Sequence, residues 1–392
     1  MKKKIAILGS TGSIGKSTLQ IIEKDKQNFK IELLSTNKNI IKIYNQAKKF
    51  NVKNLIIHDK ETLIKNKNFF KQKKIRLFQS VNEYFQKNKK KKLDYTMSSI
   101  SGLEGLISTL DIIKLSKNIA IANKESIVCG WSLIKKKLKK YKTNFIPVDS
   151  EHFSILDLIK IEKKSNIKKI FITASGGPFL NQNLKKIKQT NPKNAINHPT
   201  WKMGKKISID SATLMNKVFE LIEAMKIFDL KKSNFDIIIQ PSSYVHAIVE
   251  FKNGITKFLT HPTSMQIPIF NSLYNHYHHN FEFEKLSFEK LNELNFQKID
   301  FKKFPINKII NNIPDNDSLF NTVLISANDT LVDLFLNNKI SFHEIYSRLN
   351  TIINLKEFSK LKSIKPKNLR QIMNLSHKVR LKTQSLSVVC KI

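Results

Sequence analysis

The sequence predicts an α/β protein in three parts: a doubly wound parallel sheet at the N-terminal end, an α+β middle and a helical C-terminal end. Three observations predict it. Short apolar runs alternate with amphipathic stretches over the first half of the 392 residues, the pattern of parallel strands joined by right-handed crossovers. Two longer strand-like runs, FDIIIQPSSYVHAIVEF and GITKFLTH, are joined by KNG, which points to an antiparallel pair. From about Asp300 onward the apolar residues keep helical periodicity.

The expected strands of the first part are IAILG, IELLS, NLIIH, DYTMS, NIAIA and NFIPV, with amphipathic segments such as Ile14–Lys24 between them. At about Lys169 the pattern changes to KIFITASGGPF, a loop rich in Pro and Asn, and a helix over about Ala212–Phe228. On that helix Leu214, Met215, Val218, Leu221, Ile222 and Met225 form an apolar stripe, while Asn216, Lys217, Glu220 and Glu223 share the other side. The polar, His-bearing stretch from Asn275 to Asn280 reads as the start of a linker. The expected division is therefore 1–148, 149–274 with a loop at about 192–205, a linker at 275–299, and a helical domain at 300–392. No internal repeat is visible.

A hydrophobic content of 41% is enough for a sizeable core. The formal net charge of +38 raises the question of a nucleic-acid partner. The lysines, however, are dispersed through MKKK, KNKKKKL, KKKLKKYK, NLKKIK and similar runs instead of gathering in one groove, so no specific nucleic-acid partner is expected. The two cysteines, Cys129 and Cys390, have neither ligand nor redox spacing, which fits a reducing cytoplasm. The basic start MKKKIAILGSTG imitates a signal peptide, yet its apolar run stops at Gly9. No apolar run approaches the roughly 20 residues that span a bilayer, so a soluble, uncleaved chain with no membrane partner is expected.

Gly9-Ser10-Thr11-Gly12-Ser13-Ile14-Gly15 follows a strand and opens a helix. Glycines there permit a tight turn and bring a pyrophosphate close to helix N–H groups, which makes the first part Rossmann-like. A glycine-rich turn without a ligand is the plainer alternative. Where a site for NAD would place an acid on the ribose hydroxyls, this chain has Ser35-Thr36-Asn37-Lys38-Asn39. With a cation and no acid at that point, NADP(H) is the expected cofactor. Thr11, Gly12, Ser13, Ile14, Asn37, Lys38 and Asn39 are its candidate contacts.

In the stretch PVDSEHFS, Asp149 and Glu151 lie at i and i+2. On an extended segment they would project to one side, where a hard divalent cation would relieve their repulsion. The alternative is a strand end with Asp149 or Ser150 capping the next helix. Glu220 is available as a third carboxylate, against the alternative of a solvated Lys217–Glu220 ion pair. Ser211 and the turn Thr173-Ala174-Ser175-Gly176-Gly177-Pro178 supply hydroxyls and open backbone amides; with Asn216 and Lys217 they could make a phosphate site. NHPTWKMGKK places His198 and Trp201 in a loop bounded by Pro199 and Gly204, fit for a lid or for a local packing anchor.

GSTGSIG, NKES (Asn123 to Ser126), VDSEH, SGGPF, HPTWKMGKKISIDSATLMNK with Glu220 and Glu223, and SANDT occur in the order that resembles the 1-deoxy-D-xylulose 5-phosphate reductoisomerase family, from Met1 to the end of the chain. The resemblance implies NADPH-dependent rearrangement and reduction of a small phosphorylated sugar in the methylerythritol phosphate route to isoprenoids. It implies that Asp149, Glu151 and Glu220 hold magnesium or manganese, with cobalt a further candidate. Ser150 and Lys124 are placed beside the substrate oxygens, and Lys124 joins the three carboxylates among the expected catalytic groups. The same resemblance puts Ser175, Ser211, Asn216 and Lys217 on the substrate phosphate, and His198, Trp201 and Met203 on a closing flap. Asn123, Glu125 and Gly204 complete the expected cofactor contacts, and a homodimer is implied.

Asn37 stands where a glycine is common in the family, which bears on the adenine-side contacts. His276-Tyr277-His278-His279 reads as solvated linker, since its spacing lacks supporting ligands. A thioester-forming semialdehyde dehydrogenase is disfavoured because Cys129 in SIVCGW lacks the Ser/Asn-rich setting of a nucleophile. A basic binding protein without catalysis is disfavoured by the dispersed lysines and the three carboxylates.

Overall fold

The computed structural model describes residues 2–88, 92–201, 203–274, 281–285 and 287–388. His276 to His279 and Cys390 lie outside the described residues. The chain divides into two compact units, one of Met1–Ile127, Ser132–Asp149 and Met265–Phe283, the other of Val128–Trp131, Ser150–Ser264 and Glu284–Ile392.

The first unit is built on a parallel sheet of β1 (Lys3–Leu8), β2 (Phe29–Thr36), β3 (Asn54–Ile57), β4 (Arg76–Phe78), β5 (Leu93–Ser98), β6 (Ser116–Ile121) and β7 (Asn144–Pro147). Their order is β4-β3-β2-β1-β5-β6-β7, the doubly wound arrangement in which the winding reverses beside β1. Ile5 to Leu8 are closed to solvent because helices cover both faces of such a sheet, and this explains the unbroken apolar runs of the central strands. All six expected strands form. The seventh, β4, was not expected: it is three residues long, begins on Arg76 and occupies the sheet edge, where only one neighbour needs to be matched. Met265–Phe283 belongs to this unit, where the Tyr274 hydroxyl donates to Asp25 Oδ2 at 2.6 Å and Tyr95 shares a 2.7 Å bond with Ser272.

The second unit holds a four-stranded sheet of β8 (Ile167–Ala174), β9 (Phe235–Ile239), β10 (Val245–Phe251) and β11 (Thr256–Thr260), in the order β11-β10-β8-β9. β10 runs antiparallel to β8 and to β11, as the KNG joint predicts, whereas β8 and β9 are parallel. FDIIIQPSSYVHAIVEF is two strands and not one. Gln240 breaks it: its side-chain oxygen accepts the Tyr244 N–H at 2.8 Å and folds the chain between β9 and β10. The remaining residues of this unit are largely helical, with Phe320–Leu336, Phe342–Ile353 and Leu369–Val388 the long helices of its C-terminal part.

The helix expected over about Ala212–Phe228 is interrupted. One helix, Lys205–Ala212, ends at Thr213, and a second, Met215–Phe228, starts after Leu214, whose φ of +56° is left-handed. Ser211 therefore lies in the last turn of one helix instead of at the start of another. The second helix is buried on nearly all sides, and Lys217, Glu220 and Glu223 are buried with it, while Asn216 and Lys226 are half-buried.

The turn after β1 depends on Gly9, which has φ +79°. A Cβ there would stand 2.6 Å from the Ser99 carbonyl oxygen. Backbone strain and collision combine, so Gly9→Ala should cost about 2 kcal/mol or more of stability. Denaturant midpoints read this directly, and an unchanged midpoint with unchanged slope would refute it.

Candidate active site

In the first unit the C-terminal ends of β1, β2 and β5 open on a cavity of about 500 Å³ lined by Gly9, Thr11, Gly12, Asn37 and His58 among others. Gly12 precedes the helix Ser13–Lys24 with no side-chain cap and no acid in the first turn, a helix start chemically suited to an anion. The turn is braced from β2: Ser35 Oγ accepts the Gly9 N–H at 2.9 Å, and the Thr11 and Thr36 hydroxyls meet at 2.9 Å. Lys38 holds its amine 3.4 Å from Asp59, an acid two residues beyond β3. The Asn39 side chain caps the helix Ile40–Lys49 by accepting the Lys42 N–H at 3.1 Å. His58 is half-buried in the wall, and the loss of solvation lowers its pKa.

Asn123 is the N-cap of the helix Lys124–Tyr141, accepting the Ser126 N–H at 2.6 Å. Its amide also donates to the carbonyls of Ile100 and Gly102 and to Glu125, so it ties the loop after β5 to the turn after β6. Lys124, the first residue of that helix, pairs its amine with Asp149, which follows β7 in the same unit.

Asp149 and Glu151 do not share an extended segment. β7 stops at Pro147, and Ser150 begins a helix that runs to Ile159, so Glu151 sits in a first helical turn. The geometry behind the i, i+2 expectation is corrected here. What places Glu151 is the helix, whose first turn buries the carboxylate against the helix Met215–Phe228.

In the second unit the ammonium of Lys217 bridges Glu151 and Glu220, lying 2.6 Å from the latter. The carboxylates of Glu151 and Glu220 offer oxygens within 4.8 Å of each other. Burial by itself would lower the Lys217 pKa, but the two adjacent carboxylates more than offset it and hold the group above its ordinary value. Asn216 donates to Glu220 Oε1 at 2.5 Å, and the Ser150 hydroxyl donates to Glu151 Oε2 at 2.6 Å. The site therefore consists of hard oxygen donors in a buried pocket that already accommodates positive charge, a setting that fits a divalent cation.

A second cluster surrounds His198. Its Nδ1 accepts backbone N–H groups from Thr200 and Trp201 at 3.2 and 2.9 Å, which fixes the ring proton on Nε2. Nε2 faces the hydroxyls of Ser175 and Ser211 at 3.0 and 3.1 Å. Gly177 has φ +65°, and a Cβ there would lie 3.0 Å from the Ser211 carbonyl oxygen. The glycine turn thus packs directly on the helix that carries Ser211. Two hydroxyls and an imidazole N–H converge here, a donor set suited to phosphate oxygens. Gly204 stands immediately before Lys205–Ala212, and Met203 is half-buried.

Three histidines were given no role in the sequence reading. His152 is closed to solvent; its Nε2 lies 2.9 Å from the Glu220 carbonyl and its Nδ1 3.6 Å from Glu223, so it braces the helix that presents Glu220. His246 and His261 stack with ring centroids 3.6 Å apart, and the Trp201 indole meets His246 edge-on at 6.1 Å. The DSEH stretch around Glu151 could have pointed to His152, but only the β10–β11 register brings His246 and His261 together.

Comparisons with known proteins give one answer along the chain. Residues 5–130 match the family model for 1-deoxy-D-xylulose 5-phosphate reductoisomerase, and residues 145–228 and 261–382 match two models of the C-terminal domains of that enzyme. A 1-deoxy-D-xylulose 5-phosphate reductoisomerase of Pelagibacter ubique (strain HTCC1062) is 55% identical over 389 residues, covering 98% of this chain and 100% of that one. Among solved structures, the enzyme of Zymomonas mobilis in complex with NADPH aligns at a TM-score of 0.86 and 29% identity, over 99% of both chains. A DOX-P reductoisomerase in complex with NADPH, fosmidomycin and magnesium aligns at 0.88 and 31% identity, again over 99% of both.

Burial, and then the charge of Lys217, push the His198 pKa from 6.5 down to about 4, so the ring is neutral at physiological pH. The unfolded chain takes up this proton first. The stability held by neutral His198 is therefore complete above about pH 6.5 and is lost as the pH falls toward 4. In ligand-free protein, His198→Gln should flatten the pH dependence of unfolding within that window. Identical slopes for the variant and the parent would show that His198 titrates as it does in the unfolded chain.

Proposed function

The chain belongs to the 1-deoxy-D-xylulose 5-phosphate reductoisomerase family, and from that premise we propose that it converts 1-deoxy-D-xylulose 5-phosphate to 2-C-methyl-D-erythritol 4-phosphate. The reaction uses NADPH and a divalent cation and serves isoprenoid precursor synthesis by the methylerythritol phosphate route. The observation that carries this reading is the pair of buried carboxylates, Glu151 and Glu220, converging on one ammonium in the unit that also holds the His198, Ser175 and Ser211 cluster.

The proposed ligands of the cation are Asp149, Glu151 and Glu220, all hard oxygen donors. When bound, the cation polarises the substrate's carbonyl and hydroxyl oxygens, and NADPH supplies the hydride. The protein's part is to bind, orient and exclude water. Ser175, Ser211, Asn216 and Lys217 bind the phosphate, with His198 Nε2–H directed to the same place. Lys124 and Ser150 orient the substrate oxygens. The loop bearing His198, Trp201 and Met203 closes over the ligand. Thr11, Gly12, Ser13 and Ile14 take the pyrophosphate, Asn37, Lys38 and Asn39 the adenosine side, and Asn123, Glu125 and Gly204 the nicotinamide side. A cytoplasmic homodimer completes the proposal, the location supported by two widely spaced cysteines. No helix among the described residues is long and apolar enough to cross a membrane.

NADPH oxidation that requires both deoxyxylulose phosphate and a divalent cation tests the activity; oxidation independent of either would contradict it. Glu220→Gln tests the site. The substitution keeps size and one oxygen but removes a ligand charge, so turnover should fall by orders of magnitude and the cation should bind more weakly. NADPH affinity should hardly change. Near-normal turnover with an unchanged metal requirement would remove Glu220 from the site.

A further inference from the structure

The second unit contains another cavity, of about 400 Å³, that none of the proposed substrate, metal or cofactor residues line. Its floor is apolar, made by the buried Ile187, Ile309 and Phe342. Around that floor stand Lys188, Lys302, Lys303, Lys308 and His343, contributed by separate stretches of the chain, and among the described residues no Asp or Glu lines it. Some lysines elsewhere in this unit do stand beside acids, as in Lys168–Glu250, Lys257–Glu162 and Lys290–Glu284. Asp300, close in sequence, spends its carboxylate on the backbone N–H groups of Lys302 and Lys303. Cations gathered without a counter-charge repel one another, and an anion relieves that repulsion.

We propose that this cavity is a second ligand site, for an organic phosphate carrying a short apolar group. The lysines take the phosphate and the Ile187–Ile309–Phe342 floor takes the apolar part, an arrangement that neither free phosphate nor a neutral apolar molecule fully uses. The walls also connect to the substrate loops. Phe342 packs edge-on against Phe179 at 4.9 Å, Lys303 Nζ donates to the Leu180 carbonyl at 2.7 Å, and the Tyr346 hydroxyl donates to the carbonyl of Thr213. Phe179 and Leu180 follow the Gly176–Gly177 turn, and Thr213 lies two residues after Ser211. An occupant would thus bear on the phosphate cluster, a regulatory consequence that rests on the function proposed above; binding itself does not.

Titration calorimetry of the full chain with n-hexyl phosphate, without substrate or cofactor, tests the site. Saturable binding is expected, weakened tenfold or more in Lys302→Gln/Lys308→Gln. Lys252→Gln/Lys367→Gln removes the same charge from exposed positions elsewhere in this unit and should bind as the parent does. Inorganic phosphate and n-hexanol should each bind at least tenfold more weakly. Ser211→Ala, which cuts the substrate cluster, should leave hexyl phosphate binding intact. Absence of saturable binding, an equal loss in both lysine pairs, inorganic phosphate as tight as hexyl phosphate, or loss in Ser211→Ala would each overturn the proposal.

Discussion

A buried lysine held between two carboxylates sets the terms for the substrate unit. Burying Glu151, Lys217 and Glu220 is costly for each charge alone, and it becomes tolerable only because all three are buried together. The arrangement demands fixed backbones. The helix from Ser150 must deliver Glu151 in its first turn, and Leu214 must break the preceding helix so that Met215–Phe228 can present Lys217 and Glu220 from a new axis. His152 then holds the Glu220 turn in place from the neighbouring helix. A buried polar cluster of this kind tolerates little displacement, which suits it to holding a small hard cation.

The same break at Leu214 accounts for the second cluster. Because the helix Lys205–Ala212 ends there, Ser211 faces the Gly176–Gly177 turn instead of lying along the next helix. His198 joins the two hydroxyls, and its Nδ1 is committed to the backbone of its own loop. The loop that would cover a ligand is thereby tied to the groups that would bind its phosphate. Movement of one alters the other.

Much of this was legible in the sequence because short-range rules govern it. Apolar runs closed on both faces gave the central strands of the first sheet, and the strand–glycine turn–helix order located the cavity at Gly9 and Gly12. Legibility ended where a distant contact decides local structure. β4 has too few residues to show a period, and Gln240 splits an apparent single strand through a side-chain bond that no periodicity reveals. The helix pattern ran through Leu214 without a Gly or Pro to announce the break. Type and spacing single out Asp149 and Glu151, but the extended geometry behind that spacing fails because the chain has already turned into a helix at Ser150. Lys38, chosen for its charge, is found beside Asp59, which is distant in sequence and adjacent only because β2 and β3 pair.

Stability of Lys217→Met, followed by denaturant unfolding with and without magnesium or manganese, tests most directly whether buried opposite charge organises this site. Removing the ammonium leaves the Glu151 and Glu220 carboxylates without its charge in a closed pocket, so a loss of about 3–5 kcal/mol at neutral pH is predicted, with part of it regained on adding the cation. A variant as stable as the parent, and indifferent to the cation, would contradict the account.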